Sequence, residues 1–167
     1  MYIALLLLYE GTSGSTRAEL ERALGLADVD ACSAYLELLS RLPLSSGNDT
    51  ALTVANAVWL REGFPFKAAY VERVERCYSA SARNFSSAEQ LVKEVNEWAE
   101  EQTRGLIKRV LSENDVDERT VAVLASAVYF KALWTIEFIP VGKVKFWTGS
   151  GYVGADAMEV VSWDIRV

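Results

Sequence analysis

Leu52-Thr53-Val54-Ala55-Asn56-Ala57-Val58-Trp59-Leu60 is apolar on both of its alternating faces, and Val54, Val58 and Trp59 favour extended backbone. A strand that is wet on one side alternates apolar with polar residues, whereas one that is apolar throughout has both faces covered. The stretch therefore predicts a central strand with structure above and below it. Val121 to Phe130, VAVLASAVYF, reads as a second doubly covered strand. Its unusual content of Ala and Ser leaves room for something packed closely across it.

Helices surround these strands in the sequence. Met1 to Leu8 is an apolar run with no basic region before it and no A-x-A cleavage site, and a bilayer span takes about 20 residues. It predicts a core helix and no membrane partner. Thr16-Arg17-Ala18-Glu19 has the spelling of a capping box, opening a helix that carries Leu20, Ala23 and Leu24 and stops at Gly25. The next helix presents Ala31, Tyr35, Leu38, Leu39 and Leu42 on one face and ends before Pro43. Leu44 to Thr50 is a polar surface loop. Pro65 suits the first turn of a helix bearing Tyr70, Val74 and Cys77 at i, i+4, i+7. Ser79 to Phe85 follows as a short strand. Ser86-Ser87-Ala88-Glu89, a second capping box, opens a helix with Leu91, Val95, Trp98, Ala99 and Gln102 in one stripe and Gly105 near its end. After Trp134 come strands Lys143 to Trp147 and Tyr152 to Val160 around a Gly-rich turn. The class is mixed α+β in one unit.

Composition narrows the chemistry. The 167-residue chain is 51% apolar and 24% charged, which suits a folded domain with a sizeable core. A formal net charge of −6 repels polyanions, so nucleic acid is not an expected partner. Histidine is absent, which removes Ser–His–Asp and Cys–His nucleophile systems and every His-ligated metal site. No cofactor, no metal, no catalytic residue and no enzyme activity is expected. Cys32 and Cys77 match no zinc spacing. Two buried small apolar side chains is the first reading and a bridge the second, and a bridge would suit an oxidising compartment or a hyperthermophilic cytosol.

Gly149-Ser150-Gly151-Tyr152-Val153-Gly154 fits G-x-G-x-x-G letter for letter. A dinucleotide site needs a helix immediately after the glycines, and Ala155 to Val161 has none of that pattern, so the motif is read as a hairpin turn. Asn48-Asp49-Thr50 and Asn84-Phe85-Ser86 are glycosylation triplets of a kind that arises often by chance. Pairs such as Glu100-Glu101 and Asp117-Glu118 are read as solvated surface.

Several stretches, in order, resemble one family. Leu8-Tyr9-Glu10-Gly11-Thr12-Ser13-Gly14-Ser15-Thr16 with Glu19-Leu20 and Ala23-Leu24 resembles the junction of helices B and C of a serpin. Leu52 to Trp59 resembles strand 2 of its large sheet A. Phe85, Val95-Asn96-Glu97-Trp98 and Thr103-Arg104-Gly105-Leu106-Ile107 resemble the end of strand 1A and helix F with its exit. Val128-Tyr129-Phe130-Lys131-Ala132-Leu133-Trp134 resembles the end of strand 3A, and Phe146 to Met158 has the spacing of the segment leading into sheet C. Ala132 stands where the family usually has Gly, Glu137 where it has Pro, and Ser126 where an Asn commonly joins the hydrogen bonds beneath sheet A.

The resemblance implies a partial serpin fold: residues 1–167 as the N-terminal portion of one serpin domain, with helices packed on a mixed sheet A and the beginning of a second sheet. It implies an inhibitor of serine or cysteine proteases, extracellular, which acts when its cleaved loop inserts as a new strand between strands 3A and 5A. The reactive loop and strand 5A belong to the other half, so this portion alone is expected to be inactive and to self-associate. Trp134, Phe130, Lys131, Ser126 and Asn56 are the residues that the resemblance places in the sheet-opening region. A non-inhibitory binding or carrier protein on the same scaffold is the alternative, because a fold does not fix a function.

Overall fold

A computed structural model describes residues 2–26, 29–42, 50–134 and 136–160. They form two compact units, Met1–Phe130 and Lys131–Val167. The first holds helices α1 (Tyr2–Glu10), α2 (Gly14–Leu24), α3 (Ala31–Arg41), α4 (Ala68–Tyr78) and α5 (Ala88–Gln102) with strands β1 (Ala51–Arg61), β2 (Ala80–Phe85) and nearly all of β3 (Ala122–Lys131). The second holds β4 (Ile139–Trp147) and β5 (Tyr152–Glu159), an antiparallel hairpin.

β1 is the middle strand of a sheet ordered β2-β1-β3, as its apolar run predicts. β2 pairs with it in parallel, Asn56 opposite Ala80 and Trp59 opposite Arg83, so α4 is the crossover between them. The backbone N–H of Arg61 donates to the Val121 carbonyl at 2.8 Å, so the end of β1 meets the start of β3. Alternation along β1 then builds two cores on opposite faces. On one face Leu6, Leu7, Tyr35, Val74, Cys77 and Tyr78 gather from α1, α3 and α4. On the other, Ala57 and Trp59 meet Phe85 and the α5 stripe of Leu91, Val95, Trp98 and Ala99. Trp59 and Trp98 pack edge to face at 5.7 Å, a geometry that contributes about 1 kcal/mol beyond burial.

Several local expectations shift in frame. The first capping box does not form: Ser13 is the N-cap of α2, so Thr16 already lies inside the helix, whose N-cap side chain makes no capping bond. The second forms one residue later. Ser87 caps by accepting from the Gln90 N–H at 3.1 Å, and the Gln90 side chain accepts from the Ser86 N–H at 2.9 Å. α4 begins at Ala68, so Pro65 precedes the helix instead of opening it. The buried face of α3 is Ala31, Cys32 and Tyr35, while Leu38 is exposed, because the side toward α4 sets the face. Gly25 ends α2 at φ 67°, where a side chain would strain.

β3 is not doubly buried. Its interior residues are half-covered and both ends are exposed, because β1 is its sole strand neighbour among the described residues. Gly149-Ser150-Gly151 is the turn between β4 and β5, where the Thr148 N–H donates to the Gly151 carbonyl at 2.9 Å; a strand follows the glycines, where a pyrophosphate needs a helix. Asn84 is exposed near the end of β2, and its amide donates to the Leu60 carbonyl at 3.1 Å. The Asn48-Asp49 part of the other triplet, and Leu44 to Asp49 of the polar loop, lie outside the described residues.

Candidate functional site

The outer edge of β3 is the feature most out of keeping with an ordinary closed sheet. Strand edges in natural proteins are short, charged or covered. Here Ala122 to Phe130 is a run of nine uncharged residues without proline, and no strand pairs with its outer edge among the described residues. Its two faces are held in place: Val123, Ala125 and Ala127 pack on the α5 core, and Leu124 packs on the opposite one. The small side chains keep α5 close to the sheet. That helix is tied down by Trp59, whose indole N–H donates to Glu94 at 3.1 Å. It is tied again by Asn96, which accepts from the Val110 and Leu111 N–H groups and donates to the Leu111 carbonyl.

Asn56 lies beneath the sheet. It is buried at 2% exposure, and its amide donates to the Tyr78 carbonyl at 2.9 Å and to the Tyr35 hydroxyl at 3.4 Å. Its Oδ1 has no partner within the described residues. A buried acceptor left unpaired costs about 1–3 kcal/mol, so the sheet carries an unused polar group at its centre. Burial pushes the Tyr35 phenol up, which keeps it a neutral partner for Asn56. Ser126 is half-buried on the neighbouring strand β3. Phe130 and Lys131 are exposed at the end of β3, and Trp134, three residues on, is 72% exposed with Phe138 set edge-on at 5.4 Å. Asn56 and Ser126 thus sit on adjacent strands of one sheet, whereas Lys131 and Trp134 belong to the second unit.

One charged cluster escapes a reading of the sequence. The Arg73 guanidinium donates to Glu10 at 2.6 Å and to Asp30 at 2.5 Å, and the Tyr78 hydroxyl donates to the other Glu10 oxygen at 2.9 Å. The Glu10 side chain is 2% exposed. Hydrogen bonds from the Ser33 N–H and then from Arg73 hold Asp30 down at about 2, and the two carboxylates hold the guanidinium charged. Burial, then Glu10, pushes the Tyr78 phenol up. The signal was present in the sequence: Glu10 falls one helical turn after Leu6, on the buried stripe of α1, and a carboxylate there needs a partner. Beside this cluster the sulfurs of Cys32 and Cys77 are bonded, joining α3 to α4 with Cα atoms 5.2 Å apart.

A family model described as serpin (serine protease inhibitor) matches residues 1–158. The chain belongs to the serpin family. Its serpin relatives include Serpin-ZX of Arabidopsis thaliana, 30% identical over 81% of this chain and 36% of that protein. An uncharacterized serpin-like protein of Pyrobaculum aerophilum is 37% identical over 97% of this chain and 41% of its own length. Among solved serpin structures, the native stressed conformation of Arabidopsis AtSerpin1 superposes with a TM-score of 0.78 at 28% identity, covering 95% of this chain and 42% of that one. Emu ovalbumin superposes at 0.80 with 22% identity, which shows the serpin fold alone. The chain thus spans well under half the length of the serpins it matches, and its three-stranded sheet with the hairpin is a partial serpin fold.

Proposed function

We propose that residues 1–167 are the N-terminal portion of a single serpin domain, and that the whole protein inhibits serine proteases by inserting its cleaved loop beside β3. The observation that carries this reading is the outer edge of β3: a long, uncharged strand edge with anchored faces and no strand partner among the described residues. An added strand pairs with such an edge through main-chain hydrogen bonds. Phe130, Lys131 and Trp134 are proposed to flank the end of β3 where insertion begins, and Asn56 and Ser126 to serve as polar groups beneath the sheet. The unpaired Oδ1 of Asn56 supports that role by offering an acceptor to a group that arrives when the sheet rearranges. The Cys32–Cys77 bridge fits an oxidising compartment, the extracellular one that the family suggests, and equally a hyperthermophilic cytosol. The chain is not proposed as an enzyme. By itself it is proposed to be inactive and to self-associate through β3, with no nucleic acid and no membrane as partner.

The test is incubation of the 167-residue chain, and of a longer protein that contains it, with trypsin-like and chymotrypsin-like proteases, followed by a denaturing gel. The longer protein is expected to give a band of protease joined to cleaved inhibitor, and the chain alone none. A shifted band from the chain alone would overturn its assignment as inactive. No band with the longer protein across the panel would overturn the inhibitory reading.

A further inference from the structure

Within the first unit a cavity of about 280 Å³ opens between the end of α1, the end of β1, the start of β3, and the segment that leads into α4. Its inner wall is Leu7 of α1, Val58 and Leu60 of β1, and Leu124 of β3, and the exposed Leu8 lines it as well. Phe66 and Tyr70, stacked with their planes 3° apart, form another side. The Tyr70 hydroxyl donates to the Leu7 carbonyl at 3.2 Å, so it is already satisfied, and burial raises its pKa to about 12. The cavity is open to solvent, but its inner wall offers no polar side chain to hold ordered water, so an apolar guest displaces water that is poorly held.

One charge lines the cavity. Lys67 is exposed, and its ammonium makes no ion pair among the described residues. The same residue is the N-cap of α4, and Tyr70 of its first turn also lines the cavity, so the positive end of α4 borders it. At roughly 30 Å³ for a water-sized group, the cavity holds a tail of about nine non-hydrogen atoms.

We propose that this cavity binds a medium-chain carboxylate, with its hydrocarbon tail against Leu7, Val58, Leu60 and Leu124 and its carboxylate on Lys67. Leu124 and Ala122 of β3 line the site, but octanoate binding is read on this chain without protease or inserted strand, so its failure is distinguishable from a failure of the inhibitory reading.

Equilibrium dialysis of the 167-residue chain against labelled octanoate, with octylammonium as a tail-matched cation, tests it. Octanoate is expected to bind saturably at one site per chain, about fivefold more tightly than octylammonium, the range of an exposed ion pair. Lys67→Glu is expected to abolish or reverse that preference. Ala122→Trp, which fills the cavity from its exposed margin, is expected to remove both ligands; Lys67→Glu, at an exposed position, keeps the test decisive if Ala122→Trp does not fold. Non-saturable uptake, equal binding of the two ligands, a preference unchanged by Lys67→Glu, or octanoate binding unchanged in a folded Ala122→Trp chain would each overturn the proposal.

Discussion

Reducing the Cys32–Cys77 bridge perturbs one bond and leaves every other atom in place, and its effect follows from the loop it closes. The two cysteines are 45 residues apart. In the chain-entropy model, freeing a loop of that length returns about 4 kcal/mol of conformational freedom to the unfolded chain at 25 °C. A domain is stable by about 5–15 kcal/mol in total, so the bridge supplies a large fraction of it. The expected fall in Tm is roughly 8–16 °C for a chain of this size. The assay is urea denaturation followed by tryptophan fluorescence, to which Trp59 and Trp98, both buried in the α5 core, contribute. Oxidised chain, reduced chain and the Cys32→Ala/Cys77→Ala variant are compared. The last two are expected to agree within about 1 kcal/mol and to lie about 4 kcal/mol below the first. If the oxidised and reduced chains share one midpoint, the bridge does not stabilise the fold by constraining the unfolded chain.

Arg73→Met leaves the Glu10 carboxylate buried and unpaired, so it is expected to cost about 3–5 kcal/mol in the same urea assay, with part recovered on adding Glu10→Gln. Asp30 is held at about 2 in the folded chain against an ordinary 3.8, so its contribution is fully present above about pH 4 and disappears as the pH falls through 2. Because the Asp30 side chain is half-exposed, that contribution is about 1 kcal/mol, read as the gap between the wild-type and Asp30→Asn midpoints closing between pH 5 and pH 2. Sedimentation velocity at micromolar concentration is expected to show self-association that Val128→Lys suppresses; Val128 is 56% exposed, whereas Val123 and Ala125 pack on the α5 core, where a lysine would also weaken the fold.

Sequence pattern sufficed where one residue type decides the outcome locally. The two-sided apolar run of Leu52 to Leu60 marked β1 as central, Gly25 marked the end of α2, and the Tyr70, Val74, Cys77 stripe marked the inner face of α4. Helix starts were less legible. Ser13 and Thr16, or Ser86 and Ser87, offer the same capping chemistry in sequence, and the choice between them rests on where the incoming chain turns. The covering of β3 was misread because composition records how apolar a strand is, while burial depends on which neighbours the rest of the fold supplies. The bridge stayed open for a similar reason. A buried Cys and a bonded Cys ask for the same surroundings, and only the approach of α3 to α4 separates them. The Glu10–Arg73–Asp30 cluster joins three helices far apart in sequence, so periodicity within any one of them shows at most that Glu10 wants a partner.

On this reading the outer edge of β3 accepts a strand. Hydrogen exchange over Ala122 to Lys131, measured on the chain with and without a peptide of alternating Ala, Thr and Gly in the manner of an inserting loop, tests it most directly. The peptide is expected to slow exchange in β3 and to leave β2, at the opposite edge, unchanged. Unaltered exchange in β3 at saturating peptide, or equal slowing at both edges, would contradict it.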